Sequence, residues 1–296
     1  MQADRAILLG RVRKCPVYRC PECALTFVSP KPTASEISEL YASYHVDTGQ
    51  LQLSSKGELH LFHAVLERIR ALTESPGELL DVGSSYGHFM ALARGAGFSV
   101  KGIEIASEPA RSARERLGLD IDESTLEGSR FAPGRFSAVT LLNVLEHVPD
   151  PFATLRECAR VARPGAVLVI VVPNLIFAYP YFRATRACGL EWAVPTSAYD
   201  VPFHLSLFSP ASLRHLLTHS GWTDVAVADA PVIANTNPAR TALKQGIHAI
   251  GSLLMAVSGG RLLLGYSQIA VARKPTGASR NQRSFVREST NANSAS

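Results

Sequence analysis

The sequence lacks an apolar segment at its N-terminus. Residues 1–19 contain arginines throughout and no continuous apolar core, so they do not match the pattern of a secretory signal peptide. The chain has five cysteines, an odd number. We therefore expect the protein to be cytoplasmic, where thiols stay reduced.

Basic residues are not interleaved with aromatic ones. The formal net charge is +5, and many of the arginines and lysines lie near the two ends of the chain. A net positive charge can favour binding to anionic substrates, membrane surfaces or nucleic acid. Without interleaved aromatic residues we expect no nucleic-acid partner, and solubility is the simplest role of the charge.

The longest apolar stretch is not a continuous membrane span. Residues 247–266 contain His248, Arg261 and four glycines, which argue against a helix through a bilayer. We expect a helical insertion at about 238–265 instead. Its basic neighbours would allow peripheral membrane contact.

Segments with strand patterns alternate with segments with helix patterns from residue 77 onward. Strands are predicted in GELLDVG, FSVKGIEIA, residues 137–142, AVLVIVVPN, DVAVADAPV and SQIAVARKP. A helix is predicted over DPFATLRECARVARPG, closed by Pro164 and Gly165. Strands separated by helices of about 10–15 residues indicate βαβ units and a mostly parallel sheet.

The chain divides into four predicted parts. They are a partial zinc-ribbon-like segment (1–30), an N-terminal helical cap (31–75), a main α/β domain (76–275) and a disordered tail (276–296). Thr33 and Glu36 have the spacing of a capping box at the start of a helix. The tail is rich in polar residues and has few apolar ones.

Cys20 and Cys23 form one C-x2-C pair, which is half of a zinc ribbon. A structural zinc needs four ligands, and only Cys15 lies nearby in the sequence. Zinc at this pair would need His45, water or another chain. We therefore predict no metal site. The remaining cysteines, Cys158 and Cys188, are expected to be buried thiols.

The stretch LLDVGSSYGHF is typical of a strand that runs into a ligand-binding turn. Gly83 allows a sharp turn, and Gly87 lets the next helix begin close to a ligand. Glu104 follows Gly83 by about 20 residues, the spacing at which an acid binds ribose hydroxyls.

Two cofactor classes share this arrangement. NAD-dependent oxidoreductases place a second glycine against the pyrophosphate, but here Ser85 takes that position, and Asp81 would sit near the negative charge. S-adenosylmethionine carries a sulfonium and an ammonium, which suit a nearby carboxylate. The residues favour the second cofactor and leave the oxidoreductase as the alternative.

Four motifs together resemble the class I S-adenosylmethionine-dependent methyltransferases. They are LLDVGSSYGHF, GIEIA, FSAVTLLNVLEHVPDP and RPGAVLVIVVPN, and the resemblance covers about residues 56–230, with the last strand near 268–274. It implies a Rossmann-like, doubly wound, seven-stranded, mostly parallel sheet with an antiparallel last strand. The subgroup it suggests includes members with a complete N-terminal zinc ribbon.

The resemblance also implies roles in cofactor binding. Asp81 would support the amino end of S-adenosylmethionine, and a residue such as Leu126 would approach the adenine. The other implied binding residues contact the methionine part, the ribose hydroxyls, the adenine and the methyl region, and they are Gly83, Ser85, Gly87, Glu104, Ile105 and Asn143.

Direct methyl transfer needs an aligned acceptor and a group that takes its proton. His204, in the subgroup-like block VPFHLSLFSPASL, is the first prediction for this base, and His147 beside Glu146 is the second. Either side chain could instead only order its loop. His215 and His219 are expected to be surface or packing residues.

The sequence therefore predicts a methyltransferase that acts on a small-molecule, sugar or lipid-linked acceptor. Tyr41, Tyr44 and His45 could line the entrance for that acceptor, although Tyr41 and Tyr44 also suit a packed core. A module that binds S-adenosylmethionine without catalysis is the other alternative. The acceptor atom is left open between oxygen, nitrogen and carbon.

Overall fold

The structure, a computed structural model, describes residues 5–12, 15–31, 33, 36, 51–175, 204–231, 246 and 265–276. The predictions for Tyr41, Tyr44, His45 and Cys188 lie outside these residues. So do almost all of the insertion at 238–265 and residues 277–296 of the tail. The predicted capping box is present, since the Thr33 amide donates to Glu36 Oε2 at 2.7 Å and the Glu36 amide donates to Thr33 Oγ1 at 3.3 Å.

The described residues form helices and strands that we number in chain order. The helices are α1 (Leu51–Leu72), α2 (His88–Gly95), α3 (Ser107–Leu117), α4 (Pro151–Val161) and α5 (Pro210–His219). The strands are β1 (Ile7–Val12), β2 (Cys15–Arg19), β3 (Thr26–Val28), β4 (Glu78–Val82), β5 (Ser99–Ile103), β6 (Ile121–Asp122), β7 (Phe136–Leu142), β8 (Ala162–Pro173), β9 (Ser206–Leu207), β10 (Thr223–Asp229) and β11 (Ser267–Arg273).

The larger sheet has seven strands in the order β10-β11-β8-β7-β4-β5-β6. Strand β11 runs antiparallel to both β10 and β8, and the other neighbouring strands are parallel. The predicted Rossmann-like sheet with an antiparallel last strand is therefore confirmed.

The core lies on both faces of this sheet. Successive residues of β8 alternate between two hydrophobic clusters: Val169 packs in the cluster with α1 and α2, and Ile170 packs in the cluster with α4 and α5. Burial on both faces explains why the strand is almost wholly apolar. The central strands, whose carboxyl ends precede the site, are thus packed on both faces.

The predicted helix after Asp150, which Pro164 was expected to close, extends about two residues too far. Helix α4 ends at Val161, and Pro164 and Gly165 belong to the start of β8. Ala162 already pairs with Phe136 of β7. Sheet pairing therefore ends the helix before the proline does.

The N-terminal strands form a second, antiparallel sheet in the order β1-β2-β3-β9. Cys20 and Cys23 lie in the turn between β2 and β3, where the Cys20 amide donates to the Leu25 carbonyl at 2.9 Å. Strand β9 comes from far along the chain. The N-terminal segment is thus tied to residues just after His204. That this segment holds no metal stays a prediction.

None of the described helices combines the length and apolar character that crossing a bilayer requires.

Candidate active site

The strand order places a crevice at the carboxyl ends of β4 and β7. The chain passes from β4 to β5 and β6 on one side, and returns to β7 and β8 on the other. Ligands of open parallel sheets bind at such a switch point. The loops that follow β4, β5 and β7 contain the predicted cofactor residues.

The loop after β4 needs its glycines. Gly83 has a φ of 71° and Gly87 a φ of 76°, which glycine adopts readily. A Cβ at Gly83 would collide with Val144 in the loop after β7, and one at Gly87 would collide with Leu119. The two glycines allow the loop to lie against its neighbours. Ser85 has a φ of 48°, so its backbone is also left-handed.

Glu104 is held by the backbone on two sides. Its Oε2 accepts a hydrogen bond from the Ser85 amide at 2.8 Å, and its Oε1 accepts one from the Ala106 amide at 2.8 Å. These bonds fix the carboxylate beside the glycine loop, where the sequence places a ribose-binding acid. The neighbouring Ile105 side chain is 45% exposed, which leaves an apolar surface for a ligand.

Asp81 is a buried acid in β4, and its Oδ1 accepts a hydrogen bond from Thr140 Oγ1 at 2.6 Å. Burial raises the pKa of Asp81 to about 7, the Thr140 hydrogen bond opposes this shift and the charge of Glu104 adds to it. A cationic ligand nearby would favour the ionised form. Thr140 pairs with Asp81 across β4 and β7 and was not predicted. Thr140 could have been found in the sequence because it is a polar residue inside a mostly apolar strand.

Asn143 directly follows β7, at the carboxyl end of that strand. It has a φ of 57°, and its amide donates to the Val171 carbonyl at 2.9 Å. The left-handed backbone ends the strand and starts the turn that contains Val144 and Glu146. Leu126, predicted to approach adenine, is buried in the core cluster with Ile103.

Glu146 and His147 lie close to His204, although His204 is far from them in the sequence. The Glu146 carbonyl accepts hydrogen bonds from the Leu205 amide at 2.8 Å and the Ser206 amide at 3.1 Å. The rings of His147 and His204 lie edge to face with centroids 4.8 Å apart. Glu146 Oε1 lies 3.9 Å from His147 Nε2. The two predicted base residues are thus neighbours.

Burial differs among these three side chains. Glu146 is 1% exposed and His204 is 7% exposed, while the His147 side chain is 23% exposed. Burial raises the pKa of Glu146 to about 8. Glu146 was named above only as the neighbour of His147, and no pattern in the sequence indicated that its carboxyl group would be buried.

The N-terminal sheet supports the His204 segment from the other side. The Val28 amide donates to the Leu205 carbonyl at 3.0 Å, and Phe27 pairs with Ser206. No sequence pattern indicated this pairing, because β9 is only two residues long.

Two other predictions are confirmed. Cys158 is buried, and burial raises the pKa of its thiol. His215 and His219 stack on α5 with ring centroids 3.8 Å apart, away from the crevice, and His219 is exposed.

The chain matches a family model described as a methyltransferase domain over residues 56–227. The ubiquinone biosynthesis O-methyltransferase of Thiobacillus denitrificans is 35% identical over 150 residues, which is 49% of this chain and 63% of that protein. The match therefore spans less than two thirds of this relative. The protein of the same name from Xanthomonas axonopodis pv. citri is 30% identical over 171 residues, which is 55% of this chain and 70% of the relative.

A solved structure shares the fold. The SAM-dependent methyltransferase of Thermotoga maritima superposes with a TM-score of 0.53 at 15% identity, over 80% of this chain and 99% of that one. At this identity the likeness concerns the fold alone. The family match covers more than half of the chain and includes the loops after β4, β5 and β7. The chain therefore belongs to the methyltransferase domain family, as a class I S-adenosylmethionine-dependent methyltransferase.

Proposed function

We propose that this enzyme transfers the methyl group of S-adenosylmethionine directly to a hydroxyl oxygen of a small or lipid-linked acceptor. The observation that carries the proposal is the contact between His147, which follows β7, and His204, which precedes β9. The relatives named as O-methyltransferases of ubiquinone biosynthesis support oxygen as the acceptor atom.

In this proposal the crevice holds the cofactor by its polar ends. Glu104, already fixed by two amides, accepts hydrogen bonds from the ribose hydroxyls. Ile105 lies along the adenine, and Asp81 supports the ammonium. Gly83, Ser85 and Gly87 surround the methionine part, and Asn143 faces the methyl group.

The reaction forms a bond between the acceptor oxygen and the methyl carbon. The carbon–sulfur bond breaks, its electron pair stays on sulfur, and S-adenosylhomocysteine is released. The acceptor's proton passes to His204, with His147 as its neighbour. The enzyme contributes alignment and proton removal, because the sulfonium already activates the methyl group.

His204→Ala tests the role of this side chain. We expect methyl transfer to fall roughly 10²–10⁴-fold, because a positioned base contributes about that factor. Affinity for S-adenosylhomocysteine should change little, since His204 lies outside the cofactor loops. His219→Ala is the matched control and should retain full turnover. Unchanged turnover in His204→Ala would show that the His204 side chain does not act as the base.

The acceptor class is tested by turnover itself. S-adenosylmethionine is incubated with sugars, quinone-type phenols and amines in turn, and products are detected by mass as methylated species. We expect methylation of a phenolic or other hydroxyl compound. Methylated amines alone, with no product from hydroxyl compounds, would contradict the oxygen assignment.

The oxidoreductase alternative does not agree with the family match. Calorimetric titration with NAD provides a direct check, and we expect no binding.

A further inference from the structure

We propose that Glu146, His147 and His204 form a binding site for a divalent transition-metal ion beside the cofactor crevice. Each side chain offers one ligand atom, and these atoms lie within 4.8 Å of one another. The inference rests on the proposed function and deepens it, because it concerns how the same site activates the acceptor.

The Glu146 carboxylate points most directly to a cation. It is 1% exposed, and neither of its oxygens has a hydrogen-bond partner among the residues that the structure describes. Buried carboxylates are usually paired or bound to metal, because an isolated buried charge is costly. His147 approaches one oxygen at 3.9 Å, which is beyond hydrogen-bond distance.

The backbone, rather than an ion, brings the three ligands together. The Glu146 carbonyl is bonded to the amides of Leu205 and Ser206, immediately after His204. The Val28 amide holds the Leu205 carbonyl from the other side. The site is thus assembled before any ion enters it.

The ligand types select the class of metal. Two imidazoles and one carboxylate suit Zn²⁺ or Fe²⁺, whereas Mg²⁺ prefers oxygen ligands and water. Ligand atoms about 2.0–2.2 Å from the ion would be about 3.4 Å apart, so the side chains would close modestly around it. His147 is partly exposed and can make this adjustment. Three protein ligands leave a position open for the acceptor oxygen.

An ion at this position would activate the acceptor hydroxyl. Coordination lowers the pKa of a bound hydroxyl, so its proton is lost to solvent and the oxygen attacks the methyl carbon. The oxidation state of the metal does not change, and the carbon–sulfur electron pair still leaves on sulfur. With the ion bound, His204 is a ligand rather than the proton acceptor, which refines its role in the proposed function.

The test is a titration of the chelator-treated full chain with Zn²⁺. It uses a Cys20→Ser/Cys23→Ser background, because the C-x2-C pair can bind zinc by itself. We expect one equivalent of Zn²⁺ to bind, and Mg²⁺ at the same concentration to bind far more weakly. Glu146→Gln should weaken Zn²⁺ binding by at least roughly 100-fold, since it removes a direct ligand.

His219→Ala is the matched control for histidine content, because His219 is exposed and stacks on His215 one helical turn away. It should bind Zn²⁺ as the background does. Affinity for S-adenosylhomocysteine reports whether each variant is folded. If Glu146→Gln does not fold, His147→Ala provides the second removal of a ligand.

The inference is overturned if the background protein binds no Zn²⁺, or if binding is lost in His219→Ala and kept in Glu146→Gln. His204 would then remain the direct base. Failure of the proposed function has a different signature, which is the absence of S-adenosylhomocysteine binding to the wild-type chain whatever the zinc titration shows.

Discussion

Asp81 is an acid whose charge depends on what occupies the crevice beside it. Burial raises its pKa to about 7, so in the unliganded protein it is largely protonated in mildly acidic solution. A bound ammonium would favour the carboxylate and lower this pKa. Binding of such a ligand is then linked to release of a proton.

We therefore predict that affinity for S-adenosylhomocysteine falls by about tenfold per pH unit below about pH 7 and is level above it. In Asp81→Asn the affinity should be lower at high pH and nearly independent of pH. Calorimetric titration across this range measures both effects. Asp224→Asn, an exposed position, is the control and should behave as the wild type. If the affinity of Asp81→Asn depends on pH as steeply as that of the wild type, the proton released on binding comes from another group.

At the scale of elements, the N-terminal sheet and the segment that follows His204 form one unit. Strand β3 pairs with β9 directly after His204, and Phe27 is 3% exposed in that sheet. Its ring stacks on Tyr18 with centroids 6.1 Å apart. The cofactor loops, in contrast, lie on the seven-stranded sheet. The two sheets should thus contribute separately to turnover and to cofactor affinity.

Phe27→Ala should reduce turnover with little change in affinity for S-adenosylhomocysteine. Loss of a buried aromatic ring costs about 3–5 kcal/mol of stability, and here it loosens the sheet that holds the His204 segment. Thermal denaturation, titration and turnover together measure the effect. Ile7→Ala, at a side chain that is 56% exposed, should change stability by less than about 0.5 kcal/mol. Lost cofactor affinity with normal turnover would contradict the separation.

At the scale of the whole molecule, local patterns predicted the main sheet but not the second one. The alternation of strands and helices and the apolar run of β8 lead to the parallel sheet, because a strand buried on both faces needs apolar residues throughout. The glycine loop and Glu104 were predicted from their spacing, which is typical of nucleotide-type ligand sites in such sheets. The end of α4 was predicted too late in the sequence. Pairing between β7 and β8 ends the helix before Pro164 does.

The remaining features depend on contacts between distant residues. The pairing of β3 with β9 and the meeting of Glu146 with His204 bring together segments with no shared pattern. A two-residue strand has no periodicity to detect. The histidines were predicted one by one from their motifs, and only the fold shows that they share a site with a buried carboxylate.

The central claim is that the crevice at the carboxyl ends of β4 and β7 binds S-adenosylmethionine through Glu104, which follows β5. The most direct measurement is a calorimetric titration of S-adenosylhomocysteine into the wild type, Glu104→Gln and the control Glu115→Gln, an exposed residue of α3. We predict that Glu104→Gln lowers affinity by roughly 10–100-fold, the size expected for hydrogen bonds to a charged group, and that Glu115→Gln has no effect. Equal affinity in all three proteins would contradict the account.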